Sequence, residues 1–196
     1  REKGAITLED VESDNKGVRN PWMLSAGALV DVAGEGLFHA SNMLADVSSG
    51  EVLVRERGTL HVNTRKATMW TINAAAGDTA TLSVRDHAKL VWTCGDWHRF
   101  IIGTTAGGRA VVNLDSDGGY DIGTSGYFEL GGNVGWGELN LSKGYLYTAG
   151  HSPRIGGNGN DSANSGSSAV GFCTLAVTYV VLADFAVHAV LFEKVV

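Results

Sequence analysis

The stretch VLVRERGTLHV, residues 52–62, is followed thirty residues later by LSVRDHAKLVW, residues 82–92. Their apolar positions match one for one, and Arg55-Glu56 returns as Arg85-Asp86. The same spacing continues in both directions, to WMLSAGALVDV (residues 22–32) and VNLDSDGGYDI (residues 112–122). Four apolar columns run through these windows: Trp22, Val52, Leu82 and Val112; Leu24, Val54, Val84 and Leu114; Val30, Leu60, Leu90 and Tyr120; Val32, Val62, Trp92 and Ile122. A small column, Ala28, Gly58, Ala88 and Gly118, lies between them. A shortened fifth copy follows in Leu139, Leu141, Gly144, Leu146 and Thr148. A second segment recurs as well, with Ile72, Gly77 and Ala80 corresponding to Ile102, Gly107 and Ala110, then to Leu130 and Gly135.

Within each copy the pattern is L-x-V-x-x-x-G-x-L-x-V. Period-two alternation describes a strand with one buried face, and a small residue between two such runs suits a tight corner. Through residue 150 there is no helical period with caps. A copy of about thirty residues cannot bury its own apolar face, but stacked copies complete one another's core. The expected fold is therefore all-β, a β-solenoid of about five coils, with the columns pointing inward and Leu24, Val54, Val84 and Leu114 as stacked neighbours. The alternative is a β-sandwich or jelly roll built from evenly spaced hairpins.

The stretches FIIGTTAGGRAVVNLDSDGGYDIG (residues 100–123) and FELGGNVGWGELNLSKGYLYTAG (residues 128–150) resemble the autotransporter-associated β-strand repeats of exported bacterial proteins. The likeness covers roughly residues 22 to 150. It implies a right-handed parallel β-helix in a secreted or cell-surface protein. The chain departs from the family in its charged corners, Arg55-Glu56-Arg57 and Arg85-Asp86-His87, where the repeats usually carry Ser or Gly.

The repeats occupy residues 21–150. Residues 1–20 are polar apart from AITL and are expected to form an N-terminal arm or cap over the open strand edges of a solenoid. The chain starts with Arg1, as expected after removal of a leader or trimming of the chain. Residues 151–169 read as a Gly/Asn/Ser loop. Residues 170–196 are strongly apolar. A membrane helix there would carry Asp184 and His188 into lipid at high cost, and the β-branched, alternating pattern favours buried strands, so no membrane span is expected.

Net charge is −6 and Lys and Arg are scattered without a basic patch, which argues against nucleic acid as a partner. Cys94 and Cys173 pair in one reading and are separate buried thiols in the other. Gly156, Gly157, Gly159 and Asp161 match one copy of a calcium-binding nonapeptide, which is half a site, and read first as a loop. Cys94, Asp96 and His98 fall on one face of an extended strand but lack a second ligand pair. Asp115, Asp117 and Asp121, with Arg85 and Arg55 in the columns below, form the strongest constellation for a polysaccharide lyase or hydrolase. At corners facing water they read instead as solvated cross-strand charge pairs. Asn140 and Asn160 stand in N-x-S sequons. Trp70, Phe100 and Phe128 recur as either core packing or a glycan-binding set. No catalytic set and no cofactor motif is present, so neither enzyme activity nor a cofactor is expected.

The expected function is that of an extracellular structural protein, self-assembling head-to-tail into a filament or surface layer. Its partner would be itself, as a homopolymer, through Phe172, Val177, Tyr179, Val181, Phe185, Val187 and Leu191. A carbohydrate-binding adhesin with a cell-surface glycan partner, and a polysaccharide lyase or hydrolase, are the alternatives.

Overall fold

The computed structural model describes residues 5–9, 22–24, 27–41, 45–63, 69–93, 99–122, 127–132, 135–144, 146–147, 154–157 and 170–175. All regular structure among them is β-strand, in three sheets of six strands each. The first sheet holds β1 (Ala5–Glu9), β4 (Leu37–Ser41), β7 (Thr59–Asn63), β10 (Lys89–Thr93), β13 (Tyr120–Ile122) and β16 (Leu146–Tyr147). The second holds β2 (Trp22–Leu24), β5 (Ala45–Ser48), β8 (Met69–Asn73), β11 (Arg99–Ile102), β14 (Tyr127–Gly132) and β17 (Arg154–Gly157). The third holds β3 (Leu29–Val32), β6 (Glu51–Val54), β9 (Thr79–Asp86), β12 (Arg109–Ser116), β15 (Trp136–Lys143) and β18 (Val170–Leu175). Each strand pairs with the strand three places on in the chain, and all fifteen pairings are parallel. The hairpins of a sandwich or jelly roll would have joined successive strands as antiparallel neighbours.

Alternation explains which residues face inward. In β9 the buried positions are Ala80, Leu82 and Val84, while Thr81 and Ser83 lie on the outer face. In β12 the buried set is Ala110, Val112, Leu114 and Ser116. Register stacks Leu82 between Val52 and Val112, and Val84 between Val54 and Leu114, as the repeat requires. Leu60, Leu90 and Tyr120 form another column, and Val62, Trp92 and Ile122 the next. The second sheet belongs to the second recurring segment, with Trp70, Phe100 and Phe128 in one column and Ile72, Ile102 and Leu130 in another. Burying such Leu, Ile and Phe side chains contributes roughly 1.5–3 kcal/mol each.

The first copy corrects the expected register. Val30 and Val32, not Trp22 and Leu24, lie against Val52 and Val54. Trp22 and Leu24 belong to the second sheet, where they pair with Ala45 and Val47, and that sheet continues to Trp70 and Ile72. Phe38 and Ala40 take the places beside Leu60 and Val62 that the thirty-residue spacing gives to Val30 and Val32. The physical reason is an uneven repeat. Val30, Val52, Leu82, Val112, Leu139 and Cys173 follow one another in register at intervals of 22, 30, 30, 27 and 34 residues. Because strands share a period of two, an ungapped comparison still aligns apolar with apolar when it joins strands of different sheets.

The two ends also contain strand. β1 lies within the expected N-terminal arm and pairs with β4. β17 falls inside the segment 151–169 expected as loop and pairs with β14. β18, the start of the apolar segment 170–196, continues the third sheet beside β15.

Candidate functional site

The corners between the third and first sheets carry the runs Arg55-Glu56-Arg57 and Arg85-Asp86-His87, and their geometry follows from one backbone demand. Glu56 and Asp86 adopt left-handed backbone, with φ of 59° and 64°, a conformation that ordinarily favours Gly. The small column is not where that conformation falls. Gly58 and Gly118 are small because the previous corner is too close: a Cβ on Gly58 would lie 2.4 Å from the Val32 carbonyl oxygen. Ala28 is not part of this column. Gly36 is the equivalent position, and its carbonyl accepts from Thr59 N as that of Gly58 accepts from Lys89 N.

The acidic corner residues reach down to the round below. Glu56 Oε2 accepts from the Gly34 backbone N–H at 3.0 Å, and Asp86 Oδ2 accepts from Glu56 N–H at 3.0 Å. Arg55 donates through Nε and Nη2 to Asp31 and through Nη1 to Glu56. The hydrogen bond from Arg55 holds the Asp31 carboxyl below its ordinary value against the opposing effect of burial, with the charges of Arg55 and Arg85 adding to it. Gly34, Glu35, Glu56, Arg57, Asp86 and His87 line an open hollow along these corners.

The expected lyase constellation is divided. Asp115 lies in the third sheet, in register with Arg85, and accepts from Ser142 Oγ at 2.7 Å with Lys143 Nζ at 3.4 Å. Asp117 sits at the corner, 2.6 Å from His87 Nδ1. Asp121 belongs to the first sheet, opposite Val91. Arg55 is engaged with Asp31 and Glu56. The Ser142 hydrogen bond, with the Lys143 charge, keeps the Asp115 carboxyl below its ordinary value. These residues form a series of cross-strand pairs over two sheets and a corner.

Trp70, Phe100 and Phe128 are core: each is at most 5% exposed, and the Trp70 and Phe100 rings stack at 4.1 Å. Tyr120, read as an apolar column member, also has a polar task. Its hydroxyl donates to the Ser116 carbonyl at 2.7 Å, and burial raises its pKa to about 12.

On the outer face of the third sheet, side chains link across strands. Asn113 Nδ2 donates to Ser83 Oγ, and Asn140 Nδ2 donates to Asn113 Oδ1 and Glu138 Oε1, both at 3.0 Å. The sequon amide of Asn140 is thus held in this row. Glu138 also accepts from Arg109 Nη2 at 2.6 Å. Burial works to raise the Glu138 pKa, and the hydrogen bonds from Arg109 and Asn140, with the Arg109 charge, bring it below the ordinary value. Trp136, 38% exposed, stands at the start of the same strand.

On the first sheet, His39 and His61 stack outward with ring centroids 4.3 Å apart and planes 4° apart. The thirty-residue spacing concealed this pair. VDVAGEGLFHA (residues 30–40) set against VLVRERGTLHV (residues 52–62) aligns His39 with His61 at the shorter interval of the first copy.

Of the other expected site residues, Gly157 lies in β17, opposite Gly132, whereas Gly159 and Asp161 lie outside the described residues. Cys173 is in β18 opposite Leu139, and Cys94, Asp96, His98 and Asn160 lie outside the described residues. Among the assembly residues Phe172 is in β18 opposite Glu138, while Val177, Tyr179, Val181, Phe185, Val187 and Leu191 lie outside the described residues. No group of three or more His, Cys, Asp or Glu suited to a metal occurs among the described residues, and no helix among them is long and apolar enough to cross a membrane.

No protein-family model, curated protein or solved structure matches the chain.

Proposed function

We propose that the chain is a right-handed β-solenoid serving as an extracellular or cell-surface structural protein, and that it joins head-to-tail into a filament or surface layer. The observation that carries this reading is the pair of edges left by the sheet order. The three parallel sheets begin at β1, β2 and β3 and finish at β16, β17 and β18, each an edge strand of its sheet among the described residues. An edge strand presents backbone donors and acceptors to any strand of matching direction. Parallel stacking gives the two ends complementary edges, and a contact between unlike ends does not close on itself. The apolar segment from Val170, with Phe172, Val177, Tyr179, Val181, Phe185, Val187 and Leu191, supplies side chains to the junction. On this reading the interior is filled by packing and the charged corners keep the lateral faces soluble, with no catalytic role.

Electron microscopy and light scattering of the full chain test it. Filaments or sheets are expected, with their loss on deletion of residues 180–196 or on Val187→Lys. A monodisperse monomer at high concentration overturns it.

A second reading, a glycan-binding adhesin, is favoured by the exposed indole of Trp136 beside the Glu138, Arg109 and Asn140 side chains, an aromatic surface next to planar polar groups. Retention on a glycan array that Trp136→Ala abolishes would support it.

A further inference from the structure

From the stacked rings of His39 and His61 we infer that this pair is an acid-sensitive latch, holding β4 and the β1 edge beyond it to the rest of the first sheet at neutral pH and releasing them on protonation. The inference is independent of polymer formation. The rings lie face to face, 4.3 Å apart with an interplanar angle of 4°, on neighbouring strands with His39 opposite His61 in register. Two neutral imidazoles stack well, but two imidazolium rings at that distance repel.

The surroundings of His61 oppose its charged form as well. The His39 Nε2 atom is buried without a hydrogen-bond partner among the described residues. His61 Nε2 shares a 2.9 Å hydrogen bond with Thr93 Oγ1. Burial, followed by the influence of His39, lowers the His61 pKa below its ordinary 6.5, with Asp121 pulling weakly the other way.

The charged groups near the pair are few among the described residues. β10, packed on the far side of His61, contributes Lys89, opposite Thr59, then Val91 and Thr93. β13 contributes Asp121, one strand further, opposite Val91. On β7 itself Thr59 and Asn63 flank His61, and on β4 Leu37 precedes His39. β1 places Thr7 opposite His39, and its single titratable position, Glu9, lies opposite Ser41. The only carboxylates in this set are therefore one strand beyond the nearest neighbour or diagonal to the pair, whereas Lys89 adds positive charge on the near side.

The sign follows from linkage. A histidine whose folded pKa lies below its unfolded one is neutral in both states above 6.5 and costs nothing there. As the pH falls below 6.5 the unfolded or locally opened chain takes the proton first, and stability is lost down through the folded value. The first event is local because, among the described residues, β4 has only β1 beyond it on that side, and elements near a sheet edge open at lower cost than its middle.

Hydrogen exchange of the full chain at pH 7.5 and 5.0, corrected for intrinsic rates, reads the opening directly. Amides of residues 37–41 are expected to lose at least tenfold protection at the lower pH, with residues 110–114 nearly unchanged. The variant carrying His39→Gln and His61→Gln should show no such selective loss. Equal protection of residues 37–41 at both pH values in the unmodified chain overturns the inference whether or not the variant folds. So does the same selective loss in the folded variant, which would place the response on Asp121 or Glu9. A His61 ring resonance titrating at or above 6.5 in the unmodified chain overturns it as well.

Discussion

Asp86 lies one round above Glu56 and holds it by the backbone: Asp86 Oδ2 accepts from Glu56 N–H at 3.0 Å, while Glu56 Oε2 accepts from Gly34 N–H at 3.0 Å. Both acidic residues sit in left-handed backbone. A non-Gly residue there costs about 1–2 kcal/mol, and a hydrogen bond to a carboxylate returns an amount of the same order. The side chain thus offsets the strain of its own corner by securing the corner beneath. Asp86→Ala removes the acceptor and retains the strain, so it is expected to destabilise by about 1–2 kcal/mol. Asp86→Gly removes both and should remain within about 0.5 kcal/mol of the unmodified chain. Urea denaturation of the two variants separates the effects, and equal losses would show that the backbone strain contributes nothing.

Phe100 joins three rounds of the core. It stacks on Trp70 at 4.1 Å, meets Phe128 edge-on at 5.6 Å, and lies tilted to Trp92 at 5.9 Å. It has no exposed surface, so truncation leaves a cavity bounded by rings fixed on three strands. Phe100→Ala is expected to cost about 3–5 kcal/mol, whereas Phe100→Leu, which keeps most of the volume, should cost less than half as much. Thermal unfolding followed by Trp fluorescence checks both. Leu82→Asp, which places a charge between Val52 and Val112, is expected to unfold the middle of the sheets.

The middle copies were readable from sequence because Val52, Leu82 and Val112 recur at one fixed interval, so an ungapped comparison meets true neighbours. The first copy was not readable in the same way. The segment between Val30 and Val52 is eight residues shorter, and period-two alternation disguises a slip between sheets as a match. The acidic left-handed corners at Glu56 and Asp86 were hidden for another reason. Propensity assigns that backbone to Gly, and only the corner beneath reveals what an acid does there. The corner charges were legible as solvated pairs, and Asp115 with Lys143 and Asp117 with His87 have that form. The division of Asp115 and Asp121 between two sheets was not legible, because residues close in sequence fall on different sheets when successive strands belong to different sheets.

Arg109 and Glu138 form the shortest Arg–carboxylate contact among the described residues, 2.6 Å, with the Glu138 side chain 20% exposed and that of Arg109 53% exposed. Burial alone would raise Glu138, and Arg109 and Asn140 outweigh it. The folded pKa therefore lies below the ordinary 4.5. The resulting stability is present above 4.5 and is lost as the pH falls through the folded value, because the unfolded chain binds the proton first. Arg109→Ala should cost about 0.5–1 kcal/mol at pH 7, and the gap from the unmodified chain should close on acidification below 4.5. Denaturation midpoints at pH 7, 5 and 3.5 test this, and a gap that persists at the lowest pH would assign the effect to lost packing of the Arg109 stem.

Adjacent glycines at one corner separate close approach from backbone conformation. Gly118 lies outside the left-handed region, but a Cβ there would lie 2.2 Å from the Ala88 carbonyl oxygen and 2.4 Å from that of His87. Both obstacles are backbone, so Gly118→Ala must lift this corner from the one below. That movement strains the bond from Asp117 N to Asp86 O at 3.2 Å and the bond from Ser116 Oγ to Ala88 O at 2.6 Å. Gly119 has φ of 99° and open space where a Cβ would stand. Gly119→Ala meets only conformational strain, about 1–3 kcal/mol, and should leave the sheets paired. Gly118→Ala adds strain on both bonds, and for the buried one from Ser116 Oγ the loss is about 1–3 kcal/mol for a group left unmade. It is expected to be the more damaging of the two, with hydrogen-exchange protection falling in both β9 and β12. If Gly119→Ala proves the more damaging, left-handed backbone rather than the spacing between rounds limits what this corner can hold.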